Sequence, residues 1–128
     1  MAKVLIVDDN DSFRRLNAEF IKMDGHQVLT ARNGRETLEL VQQEHPDILL
    51  LDIMMPGIDG YEICRQIKAD PDTQHTLVVM VTALPPSERF KSYQAGADEH
   101  LTKPLQSRQL RDLIKRLAAR IERSKGKA

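Results

Sequence analysis

Ile48-Leu49-Leu50-Leu51-Asp52 is a run of four apolar residues that stops on an acid. A strand with one wet face alternates apolar and polar side chains. An unbroken apolar run of this length is what a strand covered on both faces requires. Working outward, comparable short runs occur at Lys3–Val7, Gln27–Ala31 and Leu77–Val81, with a weaker one at Glu99–Thr102. Between them the spacing turns helical. Phe13, Leu16 and Phe20 recur at three and four residues, as do Leu38 with Val41 and Ile63 with Ile67. Leu110, Leu113, Ile114, Leu117 and Ile121 make one apolar stripe, and Arg111, Asp112, Lys115, Arg116 and Arg120 occupy the other faces.

The punctuation agrees with this division. Asp11 or Ser12 is suited to cap the first helix and Gly25 to close it. Asn33-Gly34 turns the chain into the second helix, and Asp59-Gly60-Tyr61-Glu62 has capping-box spacing for the third. Pro85-Pro86-Ser87 opens the fourth and Gly96 closes it. Strands alternating with helices build right-handed parallel βαβ units. The expected fold is therefore α/β, a doubly wound (βα)5 sandwich. One domain is expected over residues 1–123, with a polar tail at 124–128 that frays.

Composition narrows the function classes. A chain of 128 residues has room for a single core. Formal net charge is zero, so no overall field draws it to nucleic acid or lipid. No apolar run approaches the ~18 residues of a membrane span. The apolar start is broken by Asp8 and Asp9, too soon for a signal peptide. Cys64 is the single cysteine and has no partner for an internal disulfide. It also lacks the Cys/His grouping of a zinc site and reads as a packed thiol. These features lead to the expectation of a cytoplasmic protein. No DNA-binding helix-turn-helix or catalytic unit follows the last helix, so output is expected through a bound partner or a domain outside this chain.

Ligands of open α/β sheets bind beyond the carboxyl ends of the strands. Asp8-Asp9 follows the first strand, Asp52 the third and Lys103 the fifth, while Thr82 ends the fourth. If those strands are neighbours, five reactive side chains meet at one edge. Nothing in core packing asks for that. Three close carboxylates repel one another, so a hard, oxygen-seeking cation is expected among them, and Mg²⁺ fits. The charges then sum to zero, with three acids against Mg²⁺ and Lys103. Such a site suits phosphoryl transfer, which needs positioning and charge neutralisation. Asp52 is the candidate nucleophile, and Lys103 and the Thr82 hydroxyl are candidates for binding the incoming oxygens. Taken singly, each residue also has a plain reading as a turn, strand-end or surface group. Only their joint placement at four strand ends favours chemistry.

These pieces resemble the response-regulator receiver family of two-component signalling, typified by the bacterial chemotaxis regulator. The resemblance rests on Val4-Leu5-Ile6-Val7-Asp8-Asp9-Asn10 and on Leu50-Leu51-Asp52-Ile53-Met54-Met55-Pro56-Gly57-Ile58-Asp59-Gly60. Val81-Thr82-Ala83, Gly96-Ala97-Asp98 and Leu101-Thr102-Lys103-Pro104 follow in register, so about residues 3–121 are covered. The resemblance implies a five-stranded parallel sheet in the order 2-1-3-4-5. It implies that Asp52 is the phosphoacceptor, taking its phosphoryl group from a phosphohistidine on a sensor histidine kinase or phosphotransfer protein. Asp9 and Asp52 would ligate Mg²⁺ directly, Asp8 would act through water, and the Met54 backbone carbonyl would add a ligand. Lys103 would pair with the acceptor carboxylate and then with the phosphoryl group, aimed by a cis Lys103–Pro104 peptide. Thr82 would be the switch hydroxyl. A downstream protein would bind the face built from helix four, strand five and helix five. Such a chain catalyses its own phosphorylation and dephosphorylation but works mainly as a switch.

Two positions depart from the usual pattern or bear on lifetime. Three residues before Lys103, where the family carries Tyr or Phe, stands His100. A working switch there would move this ring inward as Thr82 shifts; the alternative is an exposed histidine with no such role. Met54 and Leu84, two residues past Asp52 and Thr82, are both apolar. Neither positions an attacking water, which implies slow loss of the phosphoryl group. A hydrolase of the haloacid-dehalogenase type also uses an aspartate nucleophile, but it wants an acid where Met54 stands. A pseudo-receiver acting purely as an interaction module usually lacks an acid, acceptor or lysine position, and none is missing here.

Overall fold

The computed structural model describes residues 1–55 and 57–125, with Ile58 described by its backbone. Pro56 of the matching motif and the last three residues of the expected tail lie outside the described residues. Five parallel strands form the sheet: β1 (Lys3–Val7), β2 (Gln27–Ala31), β3 (Ile48–Leu51), β4 (Leu77–Thr82) and β5 (Glu99–Thr102). Their spatial order is 2-1-3-4-5, with Val7 beside Leu51 and Leu51 beside Met80. The expected doubly wound fold is present. A two-residue antiparallel ladder, Met54–Met55 against Ile58–Asp59, lies after β3 and had no signal in the hydrophobic pattern.

The helices are α1 (Asp11–Met23), α2 (Gly34–Glu44), α3 (Gly60–Ala69), α4 (Arg89–Gln94) and α5 (Ser107–Lys125), with a 3-10 turn at Pro86–Glu88 leading into α4. Successive strand residues point to opposite faces, and the unbroken apolar runs serve two cores. Leu5, Val7, Leu49, Leu51, Val78 and Met80 pack under α2 and α3 against Val41, Ile63, Cys64 and Ile67. Val4, Ile6, Ile48, Leu50, Val79 and Val81 pack under α1 and α5 against Ile21, Leu110, Ile114 and Leu117. Cys64 is fully buried, which pushes its thiol up to about 11 and leaves it a core residue.

Three local expectations change. The cap of α1 is Asn10, one residue before Asp11, and its side-chain oxygen accepts from the Phe13 N–H at 2.9 Å. Asp11 instead occupies the first turn, where its carboxylate suits the helix dipole and pairs with Arg14. Leu16, expected on the apolar face of α1, is 54% exposed. The buried face is Arg14, Asn17, Ala18 and Ile21, an equally regular 3-4-7 spacing that polar residue types conceal. Finally, α5 runs through Lys125, so Ser124 and Lys125 are helix rather than tail. Arg123 and Lys125 in the last turn complement the negative end of the helix dipole.

Candidate functional site

The sheet ladder extends past the strand ends and so carries the acids into place. The Asp8 N–H donates to the Ala31 carbonyl at 3.4 Å, the Asp52 N–H to the Val7 carbonyl at 3.1 Å, and the Lys103 N–H to the Thr82 carbonyl at 2.7 Å. Asp8, Asp9 and Asp52 each offer a carboxylate oxygen, and these atoms lie within 4.8 Å of one another. Asp8 and Asp52 are 1% and 6% exposed, while Asp9 faces solvent.

Protein donors already engage parts of this cluster. One Asp8 oxygen accepts from the Asn10 N–H at 2.9 Å and the other from Lys103 Nζ at 2.7 Å. The same ammonium stands 3.7 Å from an Asp52 oxygen. The short contact of Lys103 is thus with Asp8, not with Asp52. The other Asp52 oxygen accepts from the Met54 N–H at 3.0 Å, which fixes that stretch of main chain beside the acid. The Lys103–Pro104 peptide is cis, as the resemblance implied. Thr82 is fully buried, and its hydroxyl oxygen accepts from the Leu84 N–H at 3.2 Å, leaving its own proton to donate.

Burial raises the Asp52 carboxyl above its ordinary range; Lys103 and the Met54 N–H oppose this, and Asp8 and Asp9 add to it. Three acids against one lysine leave two negative charges uncompensated. A divalent cation with oxygen preference satisfies that excess. The donor set fits Mg²⁺: Asp9 is open to solvent, Asp52 keeps free lone pairs, and Asp8 is already held by Asn10 and Lys103.

Two contributors were not singled out from sequence. Arg14, buried on α1, donates from Nη1 to the Asp8 carbonyl at 2.7 Å. Its signal was the 14-17-18-21 spacing on the inward face of α1. Gly60 opens α3 so close to the site that a Cβ there would sit 2.7 Å from Ile53 Cα and 3.2 Å from the Asp52 carbonyl oxygen. Asp59 caps this helix by accepting from the Tyr61 N–H at 2.9 Å, two residues on rather than the three of a capping box.

His100 is 5% exposed, so the alternative of an exposed ring is set aside. It is also already inward, and no inward swing is needed to bury it. Its Nδ1 lies 2.7 Å from the Ser92 hydroxyl of α4, and among the described residues its Nε2 has no hydrogen-bond partner. Burial, with help from Arg89, depresses its tendency to protonate. A depressed folded value means that the unfolded chain binds the proton more readily. The stability this ring supplies is therefore complete above about pH 6.5 and is lost as pH falls through the folded value. His26 is depressed in the same direction by burial and the N-terminal amine. The urea midpoint should fall from about pH 7.5 to about pH 5.5, a range bracketing the histidine value. His100→Phe should lessen that fall and leave the part due to His26. An unchanged slope in the variant would contradict a buried neutral imidazole.

The sequence profile of the response regulator receiver domain matches residues 4–115. The chain is 41% identical over 105 residues to the response regulator PleD of Caulobacter vibrioides, across 81% of this chain and 23% of that one. It is 39% identical over 123 residues to the probable transcriptional regulator ycf27 of Guillardia theta, across 95% of this chain and 47% of that one. It thus spans about half or less of the length of these curated relatives. Among solved structures, the chemotaxis response regulator CheY4 of Vibrio cholerae aligns with a TM-score of 0.85 at 30% identity, covering 91% of this chain and 98% of that one. With its five-stranded sheet, its acidic edge and this match over most of its length, the chain belongs to the response regulator receiver domain family.

Proposed function

We propose that the chain is the phosphoacceptor of a two-component phosphorelay, taking a phosphoryl group from a phosphohistidine onto Asp52. The observation that carries this reading is the meeting of Asp8, Asp9, Asp52 and Lys103 at one sheet edge. An Asp52 oxygen forms the new O–P bond as the donor's P–N bond breaks. The electron pair leaves with the imidazole nitrogen, which takes a proton from solvent. Asp52 supplies the nucleophile and Lys103 a point charge for the phosphoryl oxygens. The Thr82 hydroxyl, with its proton free, donates to one of those oxygens. Mg²⁺, when bound by Asp9, Asp52 and the Met54 carbonyl with Asp8 behind them, neutralises charge on the transferring group.

The switch is proposed to run through Thr82 and His100 to α4. His100 is bonded to Ser92 there, so a shift of β5 pulls on that helix. Phe90 and Tyr93, both exposed on α4, suit a downstream protein partner at the face of α4, β5 and α5. Met54 lies exposed beside Asp52 with no group to orient water, in keeping with a long-lived acyl phosphate. No helix among the described residues is long and apolar enough to cross a membrane, and a buried free thiol suits a cytoplasmic site of action.

The test is a mass spectrum after incubation with a small-molecule phosphodonor and Mg²⁺. One phosphoryl group per chain is expected, and excess chelator should prevent it. Asp9→Ala should weaken Mg²⁺ binding by more than about tenfold, since even outer-sphere changes cost that much. The affinity should also decline on acidification sooner than an ordinary carboxylate near ~3.9 would give, because the Asp52 carboxyl is raised. Undiminished labelling in chelator would sink the metal requirement. No labelling under any condition would favour the pseudo-receiver instead.

A further inference from the structure

Lys103 has a neighbour that the charge balance of the site does not use. Its Nζ lies 4.3 Å from the centroid of the Phe13 ring, over the ring face. An aromatic face carries the negative part of the ring's quadrupole and attracts an ammonium group. The residue is not a loose surface aromatic. The Phe13 N–H donates to the Asn10 side chain at 2.9 Å, and its carbonyl accepts from Asn17 Nδ2 at 2.8 Å. Next to it, Arg14 holds the Asp8 carbonyl at 2.7 Å. The first turn of α1 is thereby fastened to the end of β1, with Phe13 partly buried against the core beneath α1 and α5.

We infer that Phe13 is a positioning residue for Lys103, holding the ammonium by a cation–π contact so that it stays between Asp8 and the acceptor Asp52. Lysine is a point charge on a flexible four-carbon stem, and hydrogen bonds alone do not fix its direction. Asp8 at 2.7 Å and Asp52 at 3.7 Å draw the ammonium from one side. The ring occupies another side, takes the place of water there and uses none of the directed N–H bonds. Those donors stay available for the acids and then for phosphoryl oxygens. In sequence Phe13 looked like an ordinary member of an apolar helical face; the sheet edge gives it a second task.

The catalytic part of this inference rests on Asp52 as acceptor, so the test has one arm that does not need phosphorylation. In the NMR spectrum of the unmodified protein, the Lys103 ε-methylene protons should be shifted upfield by the ring current. The shift should persist in Phe13→Tyr and vanish in Phe13→Leu. In the second arm, Phe13→Leu should slow phosphorylation from a small-molecule donor at saturating Mg²⁺ by roughly three- to tenfold, the range open to a partly desolvated cation–π contact. Half-saturation by the donor should change little, and Phe13→Tyr should restore the rate. Pentafluorophenylalanine at position 13 keeps the ring's shape and reverses its quadrupole. It should behave like leucine in rate, and it replaces the leucine variant if that one folds poorly. An unshifted Lys103 resonance in the wild type would overturn the inference, as would a full rate with the fluorinated ring. If the wild type takes no phosphoryl group but Lys103 is shifted, the acceptor reading fails while the contact stands.

Discussion

Asp52→Asn should take up no phosphoryl group from any donor, while keeping its fold and gaining stability in metal-free buffer. The first outcome follows because an amide oxygen is a poor nucleophile and no other acid has the same setting. Asp8 has both oxygens occupied by Asn10 and Lys103, and Asp9 lies out in solvent. The second outcome is a sign argument. Burial, Asp8 and Asp9 together outweigh Lys103 and the Met54 N–H, so the Asp52 carboxyl is raised. A raised folded value means that the ionised group costs stability above the unfolded value near ~3.9, and that this cost is relieved as pH falls. Asparagine is close to isosteric and cannot ionise, so the variant should show a higher urea midpoint than wild type at neutral pH without metal. Added Mg²⁺ should narrow or reverse the difference, because it stabilises the wild-type folded state by mass action. Stoichiometric labelling of the variant would remove Asp52 as the acceptor. A lower metal-free midpoint would show that its attraction to Lys103 at 3.7 Å outweighs its burial.

Gly60→Ala should be damaging although glycine carries no functional group. In an ordinary helical position alanine is favoured over glycine by up to about 1 kcal/mol. Here the added methyl meets main chain, 2.7 Å from Ile53 Cα, where no rotamer can relieve it. Overpacking of this kind costs about 1–3 kcal/mol. Main chain cannot yield as a rotamer would, so the upper part of that range applies, and a net loss of about 1–2 kcal/mol is expected in urea unfolding. Relief requires α3 or the Asp52–Ile53 segment to move. Because small misplacements of reacting groups are costly, phosphorylation should also slow by about tenfold or more. A variant as stable and as fast as wild type would mean that the first turn of α3 is free to back away from the site.

Much of the fold was legible in the sequence because its signals are local. Ile48–Leu51 is continuous in apolar residues, and the structure covers both its faces, Leu49 and Leu51 under α2 and α3, Ile48 and Leu50 under α1 and α5. Asn33 caps α2, and its side chain accepts from the Glu36 N–H at 2.9 Å, as the Asn33-Gly34 pair suggested. The acids at strand ends were legible for the same reason. Parallel strands of similar length end at one edge, so a residue that follows a strand is placed at that edge. The cap of α1 lies one or two residues before the Asp11 or Ser12 expected, because Asn10, Asp11 and Ser12 are all competent caps and the exit of β1 chooses among them.

By itself, then, the sequence determined the order and type of the elements, the two-sided burial of the sheet and the gathering of Asp8, Asp9, Asp52, Thr82 and Lys103 at its carboxyl edge. Each depends on period, turn chemistry or position along one strand. Only the tertiary structure decided which partner each of those groups takes. Lys103 bonds Asp8 at 2.7 Å rather than Asp52, Arg14 turns inward to hold the Asp8 carbonyl, and His100 is buried on Ser92. Phe13 lies beneath the ammonium and Gly60 against Ile53. These contacts join residues from different elements, one of them across 95 positions. They depend on how far each helix slides and turns on the sheet, which the packing of the whole core sets and no local pattern encodes.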